Sequence, residues 1–130
     1  MSYHFSKTVD MPIDAAAAAT VEALKKNGFG VLTEIDVQKT FRNKLDVDFR
    51  PYRILGACNP KFAYQALQAE DKIGTMLPCN VVLQEKEPGR TEISAVDPIA
   101  SMRAIDNPKL GDIAVTVQSM LKQVIADIGK

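Results

Sequence analysis

Two cysteines are the residues of this chain with the most distinctive chemistry, and they share a local context. Each is followed by asparagine, as Cys58-Asn59 and Cys79-Asn80. Each also lies near a proline, Pro60 after the first pair and Pro78 before the second. Cys58 closes a run that alternates as a strand does, with Tyr52, Ile54, Gly56 and Cys58 on one side and Arg53, Leu55 and Ala57 on the other. Asn59-Pro60 reads as a helix cap with proline in the first turn. A thiol just ahead of a helix N-terminus feels unpaired N–H groups and the positive end of the dipole. That favours thiolate, the nucleophilic and metal-binding form. Arg50 and Arg53 are close in sequence and add positive charge, although alternation sets Arg53 on the face opposite Cys58. The competing reading is that Cys58 is a small buried apolar residue. Cys79 opens a strand whose Val81 and Leu83 share its face, so it is expected to face the core.

Whether the two thiols meet depends on strand direction. Antiparallel neighbours would carry both to one end of the sheet, and parallel ones would leave them at opposite ends. A disulfide needs Cα atoms within about 7 Å. Neither cysteine lies in a Cys-x-x-Cys motif, and two cysteines with the single histidine, His4, fall short of the four ligands of a structural zinc site. Alternation sets His4 away from the apolar side of its strand, as a solvated residue. One thiolate suits a soft metal or a haem iron, although there is no Cys-x-x-Cys-His attachment motif. No glycine-rich phosphate loop occurs, and no Ser/His/Asp order can be defended. Glu85, Glu87 and Glu92 surround a hairpin and read as a solvated edge. The ligand-binding candidates are therefore Cys58, Asn59, Cys79, Asn80, Tyr52 and Arg53.

The elements that must position these residues follow from periodicity. Tyr3–Val9 alternates as a strand, with Tyr3, Phe5, Lys7 and Val9 on one side. Asp10 and Pro12 start a first helix, whose stripe is Ile13, Ala17, Val21 and Leu24 and whose end is Asn27-Gly28. Phe29–Ile35 is a second strand, with Phe29, Val31, Thr33 and Ile35 sharing a face. Asp36 caps a second helix, Val37–Leu45. Gly56, inside the third strand, marks a bulge or a close backbone approach. The third helix buries Phe62, Ala63, Ala66 and Leu67 and is broken at Asp71–Gly74. Cys79–Lys86 and Thr91–Val96 flank Pro88-Gly89, a type II turn signal, so they form a hairpin. Asp97-Pro98 starts a short helical turn. Asn107-Pro108 starts the longest helix, with Leu110, Ala114, Val117, Leu121, Val124 and Ile128 on one stripe. The hairpin and the lack of regular βαβ spacing predict an α+β fold. Its antiparallel sheet would have four to five strands, with helices packed on one face in two layers.

Length and charge narrow the function classes. At 130 residues the chain is a single domain over 1–130. Sixteen basic residues balance sixteen acidic ones, which argues against nucleic-acid binding and against polybasic membrane attachment. Zero net charge favours self-association. No segment reaches the roughly 20 apolar residues of a membrane helix, and the N-terminus lacks a signal-peptide run. The expected location is thus cytoplasmic, with both cysteines kept as thiols.

At Arg50-Pro51-Tyr52-Arg53-Ile54-Leu55-Gly56-Ala57-Cys58-Asn59-Pro60, Ala63, Leu67, Leu77-Pro78-Cys79-Asn80-Val81-Val82 and Asp97-Pro98, the chain resembles the domain of unknown function 302 family. The resemblance spans essentially the whole chain. It implies a compact two-layer α/β fold with an antiparallel sheet, often a homodimer, in bacteria and archaea, and it brings no reaction. The leading functional expectation is binding of a small ligand, soft metal or haem-like cofactor near Cys58 and Cys79. The alternatives are a thiol redox protein or enzyme with Cys58 as nucleophile, and a non-catalytic dimeric interaction module whose cysteines are core.

Overall fold

The computed structural model describes residues 2–129. In chain order the elements are β1 (His4–Val9), α1 (Ile13–Lys26), β2 (Gly30–Asp36), α2 (Val37–Leu45), β3 (Tyr52–Cys58) and α3 (Pro60–Ala69). A 3₁₀ turn (Ile73–Met76) follows, then β4 (Cys79–Glu87), β5 (Arg90–Val96), α4 (Pro98–Met102) and α5 (Pro108–Asp127). The sheet order is β1-β5-β4-β3-β2, and every neighbouring pair is antiparallel. The chain therefore adopts the α+β class expected from its hairpin and periodicity.

The core lies between one sheet face and the helices. Leu55, Ala57, Val81, Leu83, Ile93 and Ala95 supply the sheet side; Leu24 from α1 and Leu121, Val124 and Ile128 of the α5 segment supply the helix side. A fully buried leucine or isoleucine of this kind stabilises the fold by about 1.5–3 kcal/mol relative to exposure. A smaller cluster of Ala66, Ile73, Met102, Leu110 and Ala114 packs α3, the 3₁₀ turn and α4 against the first half of α5. The stripe of α5 is buried throughout, at each of the six positions its periodicity marks.

Three local expectations are corrected. Asp10 does not cap α1. Pro12 occupies that position and makes no side-chain bond, and the Ile13 N–H instead donates to Glu85 Oε1, 2.7 Å away on β4. Val21 is 38% exposed, because α1 turns Ala16, Thr20 and Ala23 inward with Leu24. Small residues there let the helix lie close to its neighbours, and Thr20 satisfies its buried hydroxyl on the Ala16 carbonyl at 2.7 Å. Leu67 is likewise 45% exposed, leaving Ala66 as the buried residue of α3.

Strand β2 departs from simple alternation. Its register shifts between Val31 and Thr33, so Val31 pairs with Ala57 while Thr33 pairs with Gly56. The extra residue, Leu32, is 66% exposed, and Thr33 and Ile35 fall on the opposite face from Val31. Lys7 explains itself at the other edge. It shares the inward side of β1 with Phe5 and Val9, and its amine donates to the carbonyls of Ala126 and Ile128 at the end of α5. The second sheet face, carrying Tyr52, Ile54, Asn80, Val82, Gln84 and Ser94, is uncovered, and none of these residues is fully buried.

Candidate functional site

Pairing of β3 with β4 sets Ala57 opposite Cys79 and Gly56 opposite Asn80. Because the pairing is antiparallel, the end of β3 meets the start of β4, and both cysteines stand at one end of the sheet. Gly56 is where three segments close in. A Cβ there would collide with Thr33 Oγ1 on β2 and lie 2.8 Å from Pro78 Cγ, so the close approach read from the sequence is real. The peptide bond between Leu77 and Pro78 is cis. Beyond Cys58, Asn59 caps α3 as expected, its Oδ1 accepting from the Phe62 N–H at 3.3 Å with Pro60 in the first turn.

The end of β3, the start of α3, the 77–79 segment, α4 and the first half of α5 line an apolar cavity of ≈30 Å³ that is partly open to solvent. Cys58, Cys79, Met102, Phe29, Phe62 and Val117 are among its walls. A cavity needs about 10–15 Å³ to admit one water, so the space of ≈30 Å³ takes a guest the size of an ion or one small group. Sites for organic cofactors run to about 300–1,000 Å³, an order of magnitude above the space between these walls.

Both thiols are free and reduced, Cys58 half-buried and Cys79 buried. Burial pushes the Cys58 thiol up from 9.0. Burial, and secondarily the neighbouring Cys58, pushes Cys79 up to about 11. That direction is opposite to the thiolate that the position of Cys58 ahead of α3 suggests. The apolar walls strip water from the sulfur, while the helix end has little left to offer. Pro60 has no N–H, and the Phe62 N–H is taken by Asn59.

The six candidate residues are split among three places. Cys58, Asn59 and Cys79 line the cavity. Tyr52 and Asn80 line a shallow groove of ≈420 Å³ on the uncovered sheet face, beside His4, Gln84 and Ser94. Arg53 lies on the helix-covered face, its guanidinium paired with Asp14 of α1 and with Glu34 at 3.5 Å. The two-residue period of a strand sends Arg53 and Tyr52, or Cys79 and Asn80, to opposite faces although they adjoin in sequence; Cys58, which alternation groups with Tyr52, lines the cavity from the last position of β3. Met102, a buried residue of the smaller core cluster, also lines the cavity and is a lining residue that sequence pattern does not single out. It comes from α4, and the only signal near it is the Asp97-Pro98 helix start, where Asp97 Oδ1 accepts from the Ile99 N–H at 3.0 Å. His4 is exposed, with its Nδ1 2.7 Å from Ser6 Oγ, as a solvated strand residue. Among the described residues no group of three or more His, Cys, Asp and Glu could hold a metal ion, and no helix is long and apolar enough to cross a membrane.

A five-stranded antiparallel sheet with helices on one face, and a thiol-lined cavity where β3 and β4 meet, defines a two-layer α+β protein. The family model described as domain of unknown function DUF302 matches residues 5–128, and the chain belongs to that family. It is similar to the crystal structure of an uncharacterized conserved protein DUF302 from Bacillus stearothermophilus. The two are 29% identical, with a TM-score of 0.90, covering 98% of this chain and 99% of that one. No curated protein matches it.

Proposed function

We propose that this protein binds one small thiophilic metal ion between Cys58 and Cys79. The observation that carries the reading is that Cys58 and Cys79, on neighbouring antiparallel strands, both line the same small cavity. Sulfur is the soft donor that thiophilic ions select, and the walls around it are almost entirely apolar. The cavity suits an ion better than an organic ligand on size alone. A thiol enzyme would need a thiolate at rest, and burial holds both sulfurs the other way. Capture of an ion has no such requirement, because the ion itself displaces the protons.

The test is protection. One equivalent of silver(I), added to the reduced chain under argon, is expected to shield both thiols from maleimide alkylation read by mass spectrometry. Cys58→Ser and Cys79→Ser should each weaken that capture. Equal alkylation with and without silver would sink the proposal.

A further inference from the structure

We propose that Met102 supplies a third sulfur beside Cys58 and Cys79, and that the cavity selects a monovalent d¹⁰ ion of the copper(I) and silver(I) class. This rests on the thiol-pair reading above and names its third donor and its ion.

Three separate elements deliver the three sulfur-bearing residues. Cys58 ends β3, Cys79 starts β4 and Met102 ends α4, and all three line the one cavity. Met102 is 8% exposed and belongs to the cluster that holds α4 against α5, so its side chain is confined on the cavity wall. The remaining walls offer nothing a harder ion could use. The one amide among them, Asn59, has its Oδ1 committed to the Phe62 N–H. A zinc site calls for four N, S or O ligands, or three and an open position. Among the described residues no His, Asp or Glu gathers with the cysteines to complete such a set. Thiolate with thioether is the donor combination that favours copper(I). A monovalent d¹⁰ ion is content with two or three sulfurs, and the space of ≈30 Å³ is of ionic size.

The charge and proton balance is explicit. Two thiols and one monovalent cation give a bis-thiolate complex of net charge −1 and release two protons, while the neutral thioether of Met102 adds a donor without adding charge. Proton release makes the affinity rise steeply with pH throughout the range in which both thiols are protonated in the free protein.

The experiment is an anaerobic copper(I) titration of the full chain against a chromophoric chelator, repeated as a function of pH, with X-ray absorption to count sulfur neighbours. The expected result is one ion per chain, a slope of two protons, and three sulfurs. Met102→Leu preserves volume and apolarity. It should lower the count to two and cost at least the roughly tenfold in affinity that losing even an outer-shell partner costs. Circular dichroism and the denaturation midpoint verify that this variant is folded. If Met102→Leu leaves both the affinity and the sulfur count unchanged, the third-donor inference is overturned while the thiol-pair reading stands. Zinc(II) displacing copper(I) would overturn the ion class. Failure of copper(I) to bind at all, with both thiols reduced, overturns this inference and the reading beneath it together.

Discussion

Cys58 and Cys79 differ in what their surroundings do to the same side chain. Cys79 pairs opposite Ala57 on the core face and is 9% exposed, whereas Cys58 stands half-exposed at the rim. The burial that raises Cys79 to about 11 has a consequence for stability. Its folded value lies above the unfolded 9.0, so the folded chain holds this proton more tightly between those limits. The contribution is therefore complete below pH 9.0 and is lost as pH rises toward about 11. At 1.36 kcal/mol per unit, the loss from this one group is about 2–3 kcal/mol. Guanidinium denaturation of the wild type and Cys79→Ala across that alkaline range should show the variant with the shallower decline. Parallel declines would mean that the thiol is solvated in the folded protein.

At the scale of elements, one carboxylate joins three of them. Glu85 on β4 accepts from the Ile13 N–H at 2.7 Å with Oε1, opening α1, and from the Gly89 N–H at 3.0 Å with Oε2, closing the turn into β5. These two bonds lower its pKa below the ordinary 4.5. A depressed folded value means stability that is present above pH 4.5 and lost as pH falls through the native value. Glu85→Gln should lower the melting temperature at neutral pH and flatten the acid limb of the stability curve. An amide keeps one acceptor oxygen but turns an N–H₂ toward a backbone donor. An acid limb identical to that of the wild type would show that other carboxylates set it. The sequence placed Glu85 on a solvated hairpin edge, because nothing local announces that a helix some seventy residues upstream begins against it.

For the whole molecule, cohesion is uneven. The centre of the sheet is covered by α1 and α5, but α2 has no buried residue, and Leu45 is 64% exposed. What holds α2 is a short aromatic run, with Phe41 edge-on to Phe49 at 5.2 Å and Phe49 tilted against Tyr52 at 6.0 Å, together with the Asp36 cap donated to by the Lys39 N–H at 2.9 Å. Local opening should therefore cost far less there than in the sheet. Native-state hydrogen exchange by NMR is expected to show α2 amides exchanging well ahead of those in β4 and β5. A single common exchange rate for α2 and the central strands would contradict this reading.

Much of the architecture is local and therefore legible in the sequence. Asn59-Pro60, Asp97-Pro98 and Asn107-Pro108 start helices where their cap and first-turn chemistry says they do. Pro88-Gly89 turns the hairpin with Gly89 at φ 81°, and the stripe of α5 faces inward. Cap chemistry and periodicity act over a few residues, so sequence order alone determines them. What the tertiary structure decided is non-local. The direction of β4 against β3 carried the two thiols to one end of the sheet. The slip at Leu32 reversed the faces of β2, and the fold of α4 brought Met102 to the cysteines while strand alternation carried Asn80 and Tyr52 away. The Cys-Asn pairs marked where to look. Which neighbours of each cysteine share its cavity was set by pairing between segments that are distant in the chain, and pairing of that kind leaves no periodic trace in either segment alone.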